Sequence, residues 1–180
     1  MNSDCQLPLS GKTIVLTRAE DKQAEARDAF TAIGALVLEL PALMIGPPDD
    51  WSLLDHALSE LESFHWVIFS SSNGVKAVQN RLSLNGNSLA SRPSGLKIAA
   101  VGRKTAKSLE NLGVLPDFIP PQFIAESLVE NFPVTALGLR ILLPRVQSGG
   151  RSILLESFSE GGANVVEVPA YESRCPDEMP

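Results

Sequence analysis

The chain of 180 residues carries 15 basic and 21 acidic side chains, a formal charge of −6, with 44% hydrophobic, 20% charged and 6% aromatic residues. That length supplies a core for one ordinary domain or two small ones, and the composition excludes the disordered, collagen-like and disulfide-scaffold classes. The acidic balance argues against a broad basic face for duplex nucleic acid or anionic lipid, so an anionic ligand has to be met by local groups.

Met1 to Lys12 has neither the basic start nor the apolar stretch of a secretory leader. Thr13 to Thr17 reads as a buried strand, and Ala26, Phe30 and Ile33 share a helical stripe that closes on Gly34. Ala35 to Leu40 is a second strand. After the turn-forming Gly46-Pro47-Pro48-Asp49-Asp50, the aspartates can cap a helix carrying Leu54, Leu58 and Leu61. Trp66 to Phe69 is a strand running into Ser70-Ser71-Ser72-Asn73-Gly74 and a helix with Val75, Val78 and Leu82 on one face. The grammar recurs with strand Ile98 to Val101, turn Gly102, and a helix from Arg103 with Ala106, Leu109 and Leu112 inward, ended by Gly113. It recurs again with strand Ile141 to Arg145, turn Gln147 to Gly150 and a helix from Arg151, before a last strand, Val165 to Val168, and a polar tail. No apolar run reaches the length of a membrane span. Cys5 and Cys175 have no companion at metal-ligand spacing, so neither a zinc site nor a disulfide is expected.

Strands alternating with helices predict an α/β fold, a parallel sheet with helices on both faces, whose ligands bind beyond the C-terminal strand ends. Three stretches lie there: Ser70–Gly74, Gly102–Thr105 and Gln147–Arg151. Each opens a helix, where unpaired backbone N–H groups favour anions. A helix terminus adds only about 0.3–1 kcal/mol toward a nearby negative charge, but each charge-assisted hydrogen bond nets roughly 1.5–3 kcal/mol. The plainer alternative is that Ser70, Ser71, Ser72 and Asn73 simply cap a helix. The glycines match neither a dinucleotide fingerprint nor a P-loop. His56 and His65 lack metal or triad spacing and read as surface or packing residues, and Arg18, Lys76, Arg103, Lys107, Arg145 and Arg151 are basic residues near strand ends or helix starts.

Four stretches in order carry a family resemblance: Ile14-Val15-Leu16-Thr17-Arg18, Trp66 through Val75, Ala100-Val101-Gly102-Arg103-Lys104-Thr105-Ala106, and Val168-Pro169-Ala170-Tyr171. In order and spacing the chain resembles uroporphyrinogen-III synthase. The resemblance implies two flavodoxin-like domains joined by a two-stranded linker, with the ligand in the cleft between them. It implies a lyase of tetrapyrrole biosynthesis, on the route to haem and chlorophyll. That enzyme closes linear hydroxymethylbilane into uroporphyrinogen III, inverting the last pyrrole ring and losing water. No cofactor and no metal are implied. The expected protein is a monomer in the cytoplasm or plastid stroma that binds this small octacarboxylate and neither nucleic acid nor membrane.

By the same resemblance Tyr171 matches the tyrosine that helps the hydroxyl leave. A phenol, with an unperturbed pKa of about 10, suits positioning and hydrogen bonding first and proton donation second. The bland alternative is a half-buried interdomain tyrosine. Thr105 matches a threonine after the Val-Gly turn, Ser71 a serine at a strand tip, and Arg18 a basic residue ending the first strand. With them, Ser72, Asn73, Gly74, Gly102, Arg103, Ser148 and Gly149 form the expected substrate-binding set. On this mapping residues 1–37 are the first segment of a discontinuous domain whose return segment does not follow, 38–169 are a second domain, and 170–180 are linker and tail. The polypeptide alone is therefore expected to be a weak or inactive catalyst. Two other readings stay open: a non-catalytic flavodoxin-like module binding an anion or tetrapyrrole, and an α/β domain that works only by pairing with another chain.

Overall fold

The computed structural model describes residues 7–17, 23–40, 42–149 and 152–176. In chain order they hold β1 (Thr13–Leu16), α1 (Ala24–Ala32), β2 (Leu36–Glu39), β3 (Met44–Gly46), α2 (Ser52–Ser59), β4 (Trp66–Phe69), α3 (Ser72–Leu84), β5 (Lys97–Ala100), α4 (Arg103–Glu110), α5 (Ala125–Glu130), β6 (Arg140–Val146), α6 (Ile153–Glu160) and β7 (Asn164–Arg174). The chain divides into two compact units: Met1–Gly46 with Ser173–Pro180, and Pro47–Glu172.

In the larger unit the strands lie side by side as β7, β6, β4, β5, and each neighbouring pair is parallel. Trp66, Val67, Ile68 and Phe69 are all buried because both faces of β4 are covered, which is why this strand reads as an unbroken apolar run. One face packs Val67 and Phe69 with Leu54 of α2, Val75 and Val78 of α3, and Leu109 of α4. The other packs Trp66 and Ile68 with Leu128 of α5 and with Leu154 and Phe158 of α6. The expected α/β sheet with helices on both faces is what the chain builds.

From β4 the chain steps one way to β5 and later the other way to β6, so the strand order reverses between β4 and β6. Open sheets offer a crevice at such a point. The sequence deepens it. β4 pairs with β6 only through Trp66 with Ile141 and Val67 with Leu142, and Pro144, which has no N–H to donate, stands where the ladder would continue.

In the smaller unit β1 and β2 form a two-stranded parallel sheet, with α1 against them. Gly34 ends α1 at φ +93°, and an added Cβ would lie 2.7 Å from Leu7 Cβ, so both conformation and space call for glycine. The buried strand expected at Thr13 to Thr17 is corrected here: Leu16 is buried, but Val15 is 50% exposed, as are Leu36 at 62% and Leu38 at 50% on the partner strand. Helix α1 covers one face of a two-stranded sheet, and among the described residues of this unit the other face is open. Among the described residues no helix is long and apolar enough to cross a membrane.

Candidate active site

Where β4 and β6 part, the C-terminal ends of β4, β6 and β7 border a hollow of about 240 Å³. Ser70 reaches it from the end of β4, Arg145 and Val146 from β6, Tyr171 from β7, Ala125 from α5, and Ser152, Ile153 and Leu154 from the start of α6. Its walls are mainly apolar with a few polar groups, the usual make-up of a small-molecule site. Tyr171, the one tyrosine of the chain, is half-buried. The Arg145 guanidinium lies 3.0 Å from Glu167, a pair that is largely buried on the arginine side. Ser152 caps α6 by accepting the Leu155 N–H at 3.2 Å.

The two neighbouring strand-end turns stand next to each other because Phe69 pairs with Ala100 and the Val101 N–H donates to the Phe69 carbonyl at 3.0 Å. At the first, Ser71 is the N-cap of α3 and its Oγ accepts the Asn73 N–H at 3.1 Å, so one of the orphan donors is satisfied internally. Ser72 and Asn73 form the first turn, and Gly74 lies so close to β6 that an added Cβ would be 3.3 Å from the Pro144 carbonyl oxygen. Small size at Gly74 is therefore a packing requirement.

The second turn differs. Gly102 is the N-cap of α4 and offers no side-chain cap, leaving the first amides of the helix without one. Its φ of −131° suits any residue and an added Cβ would meet nothing within 4 Å, so neither strain nor packing demands glycine there. Thr105, in the first turn, is only 4% exposed, yet its hydroxyl has no hydrogen-bond partner among the described residues. No fully sealed side-chain oxygen or nitrogen in the described structure lacks a partner, so that hydroxyl keeps an opening. Arg103 is exposed and its guanidinium stacks 4.6 Å from the centre of the Phe123 ring.

At the third turn Ser148 donates its N–H at 3.1 Å and its hydroxyl at 2.5 Å to the buried carboxylate of Glu172. Gly149 follows in close contact with Arg145. The donors that sequence reasoning offers to a ligand here hold the protein's own carboxylate. Arg18 and Arg151 lie outside the described residues. His65 is part of the scaffold: its Nδ1 accepts the Arg140 N–H at 2.9 Å.

Of the expected set, then, Tyr171 lines the hollow, Ser71 to Gly74 and Gly102 to Thr105 form adjacent turns at the same strand ends, and Ser148 and Gly149 form the turn after β6. Sequence reasoning passed over Ser152 and Glu172. Ser152 carries a usable signal, a serine directly before the apolar Ile153-Leu154-Leu155. Glu172 carries none, because nothing local marks a strand carboxylate as buried.

A family model described as uroporphyrinogen-III synthase HemD matches residues 24–180. The chain is similar to a uroporphyrinogen-III synthase of Synechococcus elongatus, 49% identical over 173 residues that are 96% of this chain and 65% of that one. It is similar to a porphyrin biosynthesis protein HemD of Ruminiclostridium josui, 30% identical over 69% of this chain and 26% of that one. In fold it resembles a crystal structure of a mutant uroporphyrinogen III synthase from the extremely thermophilic bacterium Thermus thermophilus, with a TM-score of 0.69 and 16% identity, over 92% of this chain and 64% of that one. The chain thus spans about two thirds or less of the length of the proteins it matches.

Proposed function

The chain belongs to the uroporphyrinogen-III synthase family, and we propose that it takes part in cyclising hydroxymethylbilane to uroporphyrinogen III, with inversion of the last pyrrole ring and loss of water. The observation that carries this reading is the single tyrosine, Tyr171, lining a hollow at the point where the strand order reverses. The phenol hydrogen-bonds the departing hydroxyl. As the carbon–oxygen bond breaks, a proton passes to that oxygen and it leaves as water. The positive charge left on the azafulvene is steered to ring closure by the groups that hold the substrate's carboxylates in place.

The substrate's carboxylates are held by the uncapped amides at Arg103 to Thr105 and the Thr105 hydroxyl, and by the first turn of α3 from Ser71 to Gly74. Arg103 supplies positive charge at the margin. The turn at Ser148 and Gly149 contributes through the shape it gives the hollow. In this reading the unit centred on Pro47–Glu172 is the second domain, β1, α1 and β2 belong to a discontinuous first domain, and the open face of β1 and β2 is where the rest of that domain packs. The protein works as a monomer in the cytoplasm or plastid stroma, without cofactor.

The test measures isomer III against isomer I, because ring closure without the enzyme gives only the uninverted product. Isomer III in excess from the 180-residue chain, or from that chain extended to the relatives' length, supports the reading. Tight binding of the tetrapyrrole with isomer I alone from both would replace it with a binding module.

A further inference from the structure

We infer that Glu172 is a positioning residue for Tyr171: it fastens the turn after β6 to β7, so that the phenol and the walls beside it keep one geometry. The inference rests on reading that hollow as the active site. Glu172 is 4% exposed, and a carboxylate enters a protein interior only where its oxygens are bonded. Those oxygens accept the Ser148 N–H at 3.1 Å and the Ser148 hydroxyl at 2.5 Å. One residue earlier in both segments, the Gln147 N–H donates to the Tyr171 carbonyl at 2.8 Å. Two consecutive residues of the turn are thus tied to two consecutive residues of β7.

The tie sits where the regular ladder fails. Register between β6 and β7 slips between Arg145, opposite Pro169, and Val146, opposite Tyr171. Gly149 then brings the turn back over its own strand, close enough that an added Cβ would lie 2.9 Å from both Arg145 Nη2 and Val146 Cγ1. Arg145, Val146 and Tyr171 all line the hollow, so releasing Ser148 loosens three of its walls together. Successive strand side chains point to opposite faces. Glu172 therefore acts on the chemistry through the backbone of Tyr171 and through the turn.

The experiment compares Glu172→Ala, which removes the tie, with Glu172→Gln, whose carboxamide can accept the Ser148 N–H and donate to its hydroxyl, each alone and with Tyr171→Phe. Thermal melts confirm folding; if Glu172→Ala does not fold, Ser148→Ala takes its place. A misplacement of about 1 Å costs up to roughly 100-fold in rate. The expected result is an isomer III kcat lowered about tenfold or more in Glu172→Ala with KM within about twofold, kcat restored in Glu172→Gln, and no further loss when Glu172→Ala is added to Tyr171→Phe. A second readout needs no activity: ring-labelled tyrosine gives one NMR signal, which moves in Glu172→Ala and returns in Glu172→Gln. An unmoved signal, equal damage in both variants, or a full loss retained in the Tyr171→Phe background would overturn the inference. If neither the parent chain nor its form extended to the relatives' length makes isomer III while the signal behaves as expected, the functional reading fails and the positioning stands.

Discussion

Gly102→Ala separates ligand binding from folding at the start of α4. The backbone at Gly102, φ −131° and ψ 159°, accepts alanine, and the added methyl meets nothing within 4 Å. The structural cost is therefore the poorer N-cap preference of alanine alone, a few tenths to about 1 kcal/mol, or at most roughly 2–4 °C in Tm for a chain of this size. Binding is affected far more. The methyl stands beside the uncapped amides of Arg103 to Thr105, and blocking one charge-assisted hydrogen bond to a substrate carboxylate removes about 1.5–3 kcal/mol, a factor of roughly 10–150 in Kd. Calorimetric titration with uroporphyrinogen III beside a thermal melt reads both quantities. An unchanged Kd with a slightly lowered Tm would remove this turn from the binding surface. A fall in Tm well beyond the capping cost would show that the methyl clashes and that the open space is not there.

Three further outcomes are expected. Tyr171→Phe lowers the rate of isomer III formation by about tenfold or more, since a positioned proton donor contributes roughly 10²–10⁴ and a phenol is a weak one; an unchanged rate takes Tyr171 out of the mechanism. Phe158→Ala opens the aromatic cluster in which Phe132 meets Trp66, Phe118 and Phe158 and costs about 3–5 kcal/mol in urea unfolding; a loss under about 1 kcal/mol would mean that the cluster collapses to refill the space. The Asp50 carboxyl is held below its ordinary range by the Ser52 hydroxyl and then the Ser52 N–H. A depressed folded-state value contributes stability above the unfolded value that is lost as pH falls through the folded one. The Tm gap between the parent and Asp50→Ala is thus constant above about pH 5 and narrows below about pH 4, and a gap independent of pH would contradict the cap.

Where local chemistry decides the structure, the sequence is easily read. Asp50 and Ser71 cap the helices they precede, Gly34 and Gly113 take positive φ where helices stop, and the apolar run of β4 is buried on both faces. Other features depend on partners far along the chain. Thr13 to Leu16 has the composition of an interior strand, but composition cannot tell that a two-stranded sheet leaves Val15 uncovered. Helix α5 is only six residues long and follows Pro120-Pro121, too short for periodicity to show. The final strand runs on past Pro169 to Arg174, with the β6–β7 register slipping just after the pair Arg145 and Pro169, where the proline has no N–H to donate. Glu172 meets Ser148 across 24 residues, and Arg145 meets Glu167 only through the β6–β7 register. Strand-end turns and Tyr171 could be named from sequence; which turn has donors to spare could not, since that is fixed by Glu172 filling one, Ser71 partly filling another, and Gly102 leaving the third uncapped.

The most direct measurement is amide NMR mapping of uroporphyrinogen III bound to the isotope-labelled chain. The expected shifts fall on Ser71 to Gly74, on Arg103 to Thr105 and around Tyr171. Shifts confined to the larger hollow of about 480 Å³ bordered by Ser59, Ser88 and Arg92, or none at these turns under saturating ligand, would contradict the proposal that strand-end amides hold the carboxylates.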